Sequence, residues 1–267
     1  MTGLETVRAL PGGTVAISVR DLPQARAIRE AQMQVLMGRK TATAKRNTPV
    51  LTANLDNDFK GSDIVTYQKG DDAIVRSAMA WDDRNLYVGW DVTDNTPWTN
   101  AARASEEMYA LGDTVDLQLG IGAGADQNRT EAGTGDLRLS IGSFSGKETA
   151  VLYRRLSQQK KPRAFNSGVF KNYMMEYVGV LADAKIKVSR RAKGYVVEAA
   201  IPLAALGLKL SDGLVLRGDV GATHGDQAGQ RTRLRSYRSN QQTGIVDDAV
   251  AELTMQPKNW GEWKFTP

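Results

Sequence analysis

Two acidic turn segments carry the side chains best suited to bind a metal ion. Asp56, Asn57 and Asp58 form the first segment, and Asp82 and Asp83 form the second. Carboxylate and amide oxygens are the ligands that calcium prefers in proteins. Neither segment has EF-hand spacing, and Asp-rich turns are common without metal because Asp bonds nearby backbone amides. The sequence therefore predicts structural calcium at Asp56, Asp58, Asp82 and Asp83 as one interpretation, and ordinary turn capping as the other.

Nucleophilic and acid–base catalysis find little support in the chain. It has one histidine, His224, and no cysteine, so thiolate nucleophiles, disulfides and thiolate metal sites are excluded. No G-x-S-x-G segment offers a serine nucleophile. Carboxylate pairs could form among 30 Asp and Glu residues, but glycoside hydrolysis depends on their separation, which a sequence does not give. We expect a protein that is not an enzyme, with His224 bonding a loop at a strand end.

The composition is that of a folded chain with a sizeable core. The 267 residues are 41% hydrophobic, and no run approaches the ~20 apolar residues that a membrane-spanning helix needs. The net charge is +5, with basic clusters at 154–155, 160–163, 185–193 and 231–238. Nucleic-acid binding uses such clusters, but no recognised nucleic-acid motif accompanies them. We interpret them as solvated strand faces and loops, and we do not expect a nucleic-acid partner.

Alternation of apolar and polar residues predicts a series of strands from residue 48 onward. In segment 114–120 the odd-numbered residues are apolar and face a core, whereas Asp116 and Gln118 take the outward positions. Short strands separated by turn residues are typical of an antiparallel sandwich. The predicted strands are 64–67, 75–81, 85–92, 114–120, 136–142, 149–155, 177–181, 184–190, 194–201, 215–224, 232–237 and 249–255.

The first 47 residues have a different pattern. We predict a short strand at 14–19, then a helix at 24–37 that starts after Pro23 and ends at Gly38, and a Thr/Ala/Lys-rich linker to residue 47. This makes residues 1–47 an N-terminal extension and residues 48–267 a β-sandwich domain. Another short helix is predicted at 202–206, between Pro202 and Gly207. The N-terminus lacks a basic segment followed by an apolar one, so we see no signal peptide.

Five motifs, in this order, resemble the family 9 carbohydrate-binding modules and their DOMON-like relatives. They are LDND (55–58), AWDDRNLYVGWDVTD (80–94), GDTVDLQL (112–119), GYVVEAAIPLAALG (194–207) and RGDVG (217–221). The resemblance extends over residues 49–265. It implies an all-β, two-sheet antiparallel jelly-roll-like β-sandwich, in which a sugar lies between two aromatic rings at a sheet edge and calcium braces loops. It also implies a non-catalytic module of a larger exported protein, extracellular, periplasmic or at the cell surface, that binds a polysaccharide or oligosaccharide.

The resemblance also implies a ligand site on strand 114–120 and its neighbours. Asp116 matches the outward-facing carboxylate of the family's site, and Arg138 matches the basic residue on the adjoining strand. The first ring position falls near Tyr109 and the second at Tyr237 and Arg238, so the family's tryptophan is absent from both. Tyrosine can still stack on a sugar.

Two more residues complete the predicted site. Asn240 follows the second ring position and has an amide that can bond a sugar hydroxyl. Trp98 ends the segment DNTPW; it either lines the rim of the site or plugs the end of the sandwich. Trp81 and Trp90 fit core positions, and Trp260 and Trp263 are expected to cover a sheet edge near the C-terminus.

Two further classes of function stay open at this level. DOMON-like relatives include b-type cytochrome domains, in which His224 would pair with Met79, Met108 or Met174 as axial ligands. The chain has no apolar, histidine-bearing pocket signature, so we do not expect haem. The other class is a degenerate scaffold or protein-interaction module, or a binder of anionic glycans through the alternating arginines Arg231, Arg233 and Arg235.

Overall fold

The computed structural model describes residues 4–9, 15–19, 40–70, 73–121, 129–167, 171–239 and 253–267. The chain divides into two units, 1–40 and 41–267, so the division falls seven residues before the predicted boundary. In the first unit, strands β1 (Leu4–Ala9) and β2 (Val15–Val19) form an antiparallel pair, which confirms the short strand predicted at 14–19. The helix predicted at 24–37 lies outside the described residues.

The second unit is built almost entirely of strands. Among the described residues, no helix is long and apolar enough to cross a membrane. Its short helices are α1 (Leu55–Asp58), α2 (Leu203–Leu206) and two 3-10 helices, Ser105–Ala110 and Pro257–Asn259. Its strands are β3 (Thr41–Arg46), β4 (Val65–Gln68), β5 (Ile74–Trp81), β6 (Asn85–Thr93), β7 (Thr114–Gly120), β8 (Leu137–Phe144), β9 (Lys147–Arg154), β10 (Arg163–Phe165), β11 (Tyr173–Met175), β12 (Tyr177–Val180), β13 (Lys185–Arg191), β14 (Gly194–Pro202), β15 (Val215–Gly225), β16 (Thr232–Tyr237) and β17 (Gly261–Thr266).

The main sheet curls over on itself and forms two layers. Its strand order is β12-β9-β8-β7-β15-β17-β3-β5-β6-β14-β13, and β16 and β4 pair with β15 and β5. Inward residues of the two layers, such as Trp90 and Val197 on one side and Leu117 and Leu139 on the other, share one core. The all-β sandwich is therefore confirmed, with its layers joined through β17 and β3 rather than separate. The predicted helix at 202–206 is confirmed as α2.

Residues 41–46 were predicted as part of a linker, and this prediction is wrong. They form β3, which pairs in parallel with β17 on one side and with β5 on the other. Ala42 and Ala44 are buried in the core. The sequence signal was weak because both inward residues are alanines, which a Thr/Ala-rich linker also contains.

The C-terminal tryptophans do not cover a sheet edge as predicted. Strand β17 lies inside the sheet between β15 and β3, and Trp263 is fully buried in the core. Trp260 is buried on the outer side, where its Nε1 donates to Gln118 Oε1 at 2.9 Å. The strand predicted at 249–255 is not formed by residues 253–255, and its other residues lie outside the described part of the chain.

The outer face of β7, β8 and β9 is covered by a third layer, which the sequence did not predict. Residues Asp116 and Gln118 do point away from the core, as expected, yet they are 0% and 3% exposed. We call the covering layer the outer cover; it consists of the 105–110 helix, the β10–β11 pair and Leu253. Its apolar cluster, together with Val151 and Tyr153 of β9, contains Ala102, Met108, Tyr109, Val151, Tyr153, Phe165, Met175, Val178 and Leu253.

Candidate functional site

The residues implied by the family resemblance meet on the outer face of β7, β8 and β16. Antiparallel pairing sets Asp116 of β7 opposite Ser140 of β8 and opposite Gly221 of β15. Gly221 in turn lies opposite Tyr237 of β16. A Cβ on Gly221 would lie 2.3 Å from Cδ1 of Tyr237. Glycine at this position therefore lets the Tyr237 ring lie flat across β15 and reach Asp116.

Hydrogen bonds join these side chains into one group, the buried polar cluster of Asp116, Arg138, Ser140 and Tyr237. Arg138 Nη2 donates to Asp116 Oδ2 at 2.8 Å, and the Tyr237 hydroxyl donates to the same oxygen at 2.7 Å. Ser140 Oγ donates to Oδ1 of Asp116. Asp116, Arg138 and Ser140 are each 0% exposed. The carboxylate is therefore paired with a cation and bonded at both oxygens, as a buried charge requires.

The outer cover closes over the buried polar cluster. The Tyr109 ring lies 5.7 Å from the guanidinium carbon of Arg138, and Arg235 Nη1 donates to the Tyr109 carbonyl at 3.0 Å. Tyr109 also packs edge-on against Tyr153 and Phe165, each at 5.8 Å between ring centroids. Burial raises the pKa of Tyr109 to about 12, although the nearby arginines act to lower it. A sugar reaches the cluster only if this cover moves.

The other predicted ligand residues do not join the cluster. Trp98 is buried in the main core, where it packs at 4.5 Å on Tyr195 and donates to Glu148 Oε2 at 2.8 Å. This placement matches the interpretation that Trp98 plugs the sandwich. Arg238 is 4% exposed and lies over the Trp263 ring at 5.0 Å. Asn240 lies outside the described residues.

Comparison with known proteins relates this geometry to one fold. No family model and no curated protein matches the chain. A family 9 carbohydrate-binding module from Caldicellulosiruptor kristjanssonii, solved with cellotriose, has 17% sequence identity and a TM-score of 0.53, covering 85% of this chain and 94% of its own. The same organism's module with glucose gives 17% identity, a TM-score of 0.50 and coverage of 85% and 96%. The chain has a family 9-like fold.

The sequence missed one member of the cluster on this family 9-like fold. Ser140 bonds Asp116 as closely as the predicted residues do. Its signal was present, since Ser140 stands two positions after Arg138 and strand alternation places both on the same face. Asp113, just before β7, has a structural role: it accepts hydrogen bonds from the backbone N–H of Gly225 (3.1 Å) and of Thr99 (3.4 Å).

Three of the four predicted calcium ligands are satisfied by other protein groups. Asp56 pairs with Arg76 at 2.5 Å, and Asp83 pairs with Arg46 at 2.6 Å. Asp82 caps its own turn: it accepts from the N–H of Arg84 and Asn85, both at 2.8 Å, and from the Tyr87 hydroxyl at 2.7 Å. These three carboxylates do not fit a calcium site. Among the described residues, no group of three or more acidic or histidine side chains converges on a common point.

The fourth, Asp58, lies against Glu198, a residue that the sequence analysis did not select. Thr52 donates to Asp58 Oδ2 from its N–H (2.6 Å) and hydroxyl (2.8 Å), and Ala53 N–H donates to Glu198 Oε2 at 2.7 Å. Burial and the adjacent Asp58 raise the pKa of Glu198 to about 7. Burial also acts to raise the pKa of Asp58, but the hydrogen bonds from Thr52 outweigh it and hold that pKa below its usual value.

His224 is bonded at both ring nitrogens. Nδ1 lies 2.6 Å from Asp94 Oδ2, and Nε2 lies 3.0 Å from Ser236 Oγ. The order Ser-His-Asp is that of a hydrolase triad, but Ser236 and His224 are each 1% exposed, so a substrate does not reach the hydroxyl. With both nitrogens engaged, His224 does not fit the role of a haem ligand. Burial acts to raise the pKa of Asp94, but the hydrogen bond and the charge of His224 outweigh it, so the pKa of Asp94 lies below its usual value.

Two of the three arginines of the predicted anionic-glycan face, Arg233 and Arg235, have different environments. Arg235 is 1% exposed and bonds the Tyr109 carbonyl, as described above. Arg233 keeps 46% of its side chain exposed, and its Nε donates to the Gly225 carbonyl at 2.5 Å. It lines an open cleft of about 420 Å³ together with Thr96 and Asp226. An anionic ligand would therefore meet Arg233 on this face, whereas Arg235 belongs to the covered layer.

Proposed function

We propose that the chain is a non-catalytic carbohydrate-binding module of a larger exported protein, and that it binds neutral oligosaccharides over the buried polar cluster once the outer cover opens. The observation that carries the proposal is the meeting of Asp116, Arg138 and Tyr237 on one strand face of a family 9-like fold. A carboxylate and a guanidinium side by side offer acceptors and donors for adjacent sugar hydroxyls. Tyr109 and Tyr237 supply the rings.

The route of access that we propose starts at a cleft beside the cover. It has a volume of about 210 Å³ and is lined on one side by Ser105 and Glu106 of the 105–110 helix and on the other by Val151 of β9. Arg163 of β10 lines it too and holds the helix through ion pairs to Glu106 and to Glu107, the latter at 3.0 Å. These pairs are partly exposed, so each contributes little to stability, up to about 1 kcal/mol. The cover is thus fastened at this edge by weak interactions.

The proposal is tested by measuring glycan binding by the native chain and by Arg163→Ala. Neutral oligosaccharides, including β-linked glucose oligomers, are screened on an array and the binders are titrated by calorimetry. We expect binding to be tighter for Arg163→Ala, by about 3–10-fold, because loosening the cover increases the fraction of open molecules. Arg190→Ala is the matched control, since Arg190 forms a comparable exposed pair with Glu148 at 2.7 Å, away from the cover.

Asp116→Asn then tests the site itself. It removes the charge that Arg138 and Tyr237 bond, and we expect saccharide binding to be lost while circular dichroism still reports the β fold. The proposal is wrong if no glycan binds the native chain or the Arg163→Ala variant while both are folded. It is also wrong if a glycan binds with equal affinity to Asp116→Asn.

A scaffold or protein-interaction module is the second candidate, and one observation favours it. Both oxygens of Asp116 are already bonded, and the cluster is covered, so the site has little unused hydrogen-bonding capacity. In this alternative the cluster holds the outer cover in place rather than binding sugar. Binding to acidic polysaccharides alone, lost in Arg233→Ala, would instead assign the function to the cleft at Arg233.

A further inference from the structure

A cleft between β9 and α2 contains a positively charged side chain that has no carboxylate beside it. We call it the end cleft; its walls come from β9, α2, Tyr177 of β12 and the loops at 134–135 and 157–159. Alternation along β9 places Leu152 and Arg154 on the same face, and Leu152 belongs to the main core. Arg154 is the last residue of β9. Its guanidinium therefore lies at the end of the core, on the inner side of the strand.

Two backbone carbonyls hold the Arg154 guanidinium in place. Nη2 donates to the carbonyl of Leu206, the last residue of α2, at 2.7 Å, and Nη1 donates to the Gly135 carbonyl at 3.2 Å. These two bonds leave most of the five N–H donors of a guanidinium for a ligand. The group is oriented before a ligand arrives, which lowers the entropic cost of binding.

The charge of Arg154 is not balanced by the protein. Within the described part of the chain, Arg154 forms no ion pair, and no other charged residue lines the end cleft. Arg129 and Arg138 differ, since an aspartate pairs with each of them. Burial lowers the pKa of Arg154, because the charged form loses hydration, although Tyr177 acts to raise it. A partly buried cation without an anion costs free energy, which an anion in the cleft would offset.

We propose that the end cleft binds one small hydroxylated organic acid, whose carboxylate is bonded by two N–H groups of Arg154. A planar guanidinium matches a carboxylate in this bidentate way. One cation balances one negative charge, so a carboxylate suits the cleft better than a dianionic phosphate does. The hydroxyl of Ser157 and the amides of Gln158 and Gln159 also line the cleft. They can donate to and accept from the hydroxyl groups of the acid.

The size and the apolar wall of the end cleft define the ligand further. Its volume of about 300 Å³ is at the lower end of the range for ligand pockets, about 300–1,000 Å³, and suits a molecule the size of one sugar acid. Leu152, Ala204 and Ala205 offer an apolar wall for the carbon skeleton. The buried polar cluster lies on the outer face of the sheet, so this inference does not rest on sugar binding there.

The test compares D-glucuronate with D-glucose on the full chain, by saturation-transfer NMR and calorimetry. The two probes share a pyranose ring, and only glucuronate has a carboxylate. We expect glucuronate to bind with a Kd on the order of 1 mM, and glucose to bind at least about 10-fold more weakly. Arg154→Gln should weaken glucuronate binding about 10-fold or more. Arg155→Gln is the matched control: it removes the same charge from the next residue, which bonds the Met174 carbonyl at 2.5 Å, and should bind as the native chain does.

A second variant blocks the end cleft without removing Arg154. Ala204 is exposed on α2 and lines the cleft, so Ala204→Phe adds a ring in the cleft without disturbing the core. This variant should also lose glucuronate binding. It takes the place of Arg154→Gln if that variant does not fold.

Four results would overturn the proposal. The first is a native chain that binds neither D-glucuronate nor the open-chain acid D-gluconate. The second is equal binding of glucuronate and glucose. The third is native affinity for glucuronate in Arg154→Gln or Ala204→Phe, and loss of that affinity in Arg233→Ala would then place the acid at the cleft of Arg233. The fourth is displacement of glucuronate by an equal concentration of inorganic phosphate, since the cleft would then recognise charge and not a carboxylate.

Discussion

Two buried carboxylates, one on the outer face of each layer, differ in how completely their oxygens are hydrogen-bonded. Asp116 of β7 is bonded by Arg138, Ser140 and Tyr237. Glu198 of β14 accepts from the backbone N–H of Ala53 and has an oxygen without a partner among the described residues. Both are 0% exposed. The residue that the family resemblance predicts as a ligand is the satisfied one, and the residue with an unbonded oxygen was not selected from the sequence.

The difference shows that residue type and unused hydrogen-bonding capacity give different information about a binding site. A motif marks which side chains are present on a strand face. Whether they can bind a ligand depends on what else donates to them and on what covers them. Asp116 was predicted from the motifs, but its donors come from two other strands, β8 and β16, and it is covered by the outer cover. Glu198 has free capacity because its neighbours are amides and another acid.

Among single substitutions, we expect the largest loss of unfolding free energy when the Arg138 guanidinium beside Asp116 is removed. Arg138→Met leaves a buried carboxylate without its charge partner, which costs about 3–5 kcal/mol of unfolding free energy. Urea unfolding followed by tryptophan fluorescence measures the loss. Arg190→Met, in an exposed pair, should cost less than about 1 kcal/mol.

A double mutant sharpens this contrast. Asp116→Asn combined with Arg138→Met should recover part of the loss, because the uncompensated charge is gone. If Arg138→Met costs no more than Arg190→Met, then water reaches Asp116 and the cluster is open in solution. That result would remove the distinction between the two carboxylates and favour a ligand site that is ready to bind.

Much of the sandwich could be predicted from the sequence, whereas the outer cover could not. Strands with period-two apolar faces, such as β6 and β7, were predicted within one residue at each end. Strands β10 and β11 have three residues each, which is too short for an alternation of apolar and polar residues to be recognised. Strand β3 places alanines inward, which resembles a linker. The outer cover was therefore not predicted, because its apolar residues are scattered over short elements that come together only in the folded chain.

The candidate site was predictable in part for the same reason. Asp116 and Arg138 followed from the motifs, and pairing register brought them together. Their burial depended on Tyr109, which lies shortly before β7, and on Phe165, which lies far away in the sequence. Glu198 occupies an outward strand position that usually faces solvent. Its burial comes from α1 and the residues before it, which no local pattern connects to β14.

A second prediction uses Asp113, which is buried just before β7 and bonded by amides, as Glu198 is. Burial raises the pKa of Asp113 to about 8, against the bonds from Gly225 and Thr99; the charge of Asp94 also raises it, and Arg233 lowers it. The folded state therefore keeps a proton that the unfolded state releases above about pH 4. Stability should fall as the pH rises from about 4 to about 8, by up to about 1.4 kcal/mol per pH unit.

Asp113→Asn should flatten that part of the profile, as measured by urea unfolding at intervals of one pH unit. Asp83→Asn removes an exposed carboxylate with 79% of its side chain accessible, and its profile should match the native one. An unchanged slope in Asp113→Asn would mean that Asp113 is ionised in the fold. Amide hydrogen bonds alone would then be enough to keep a buried carboxylate ionised.

The smallest expected effect is the difference in stability between alanine substitutions at two glycines. Gly221 makes room for the Tyr237 ring, and Gly89 makes room for Leu55. A Cβ on Gly221 would lie 2.3 Å from Cδ1 of Tyr237, and one on Gly89 would lie 2.5 Å from Cδ1 of Leu55. Overpacking costs about 1–3 kcal/mol at either site. Leu55 lies on a four-residue helix and can shift, whereas moving the Tyr237 ring pulls its hydroxyl away from Asp116. Gly221→Ala should therefore destabilise the chain by about 1 kcal/mol more than Gly89→Ala, the order of one hydrogen bond to a charged group; equal losses in thermal unfolding would show that the Tyr237 bond contributes nothing to holding the cluster closed.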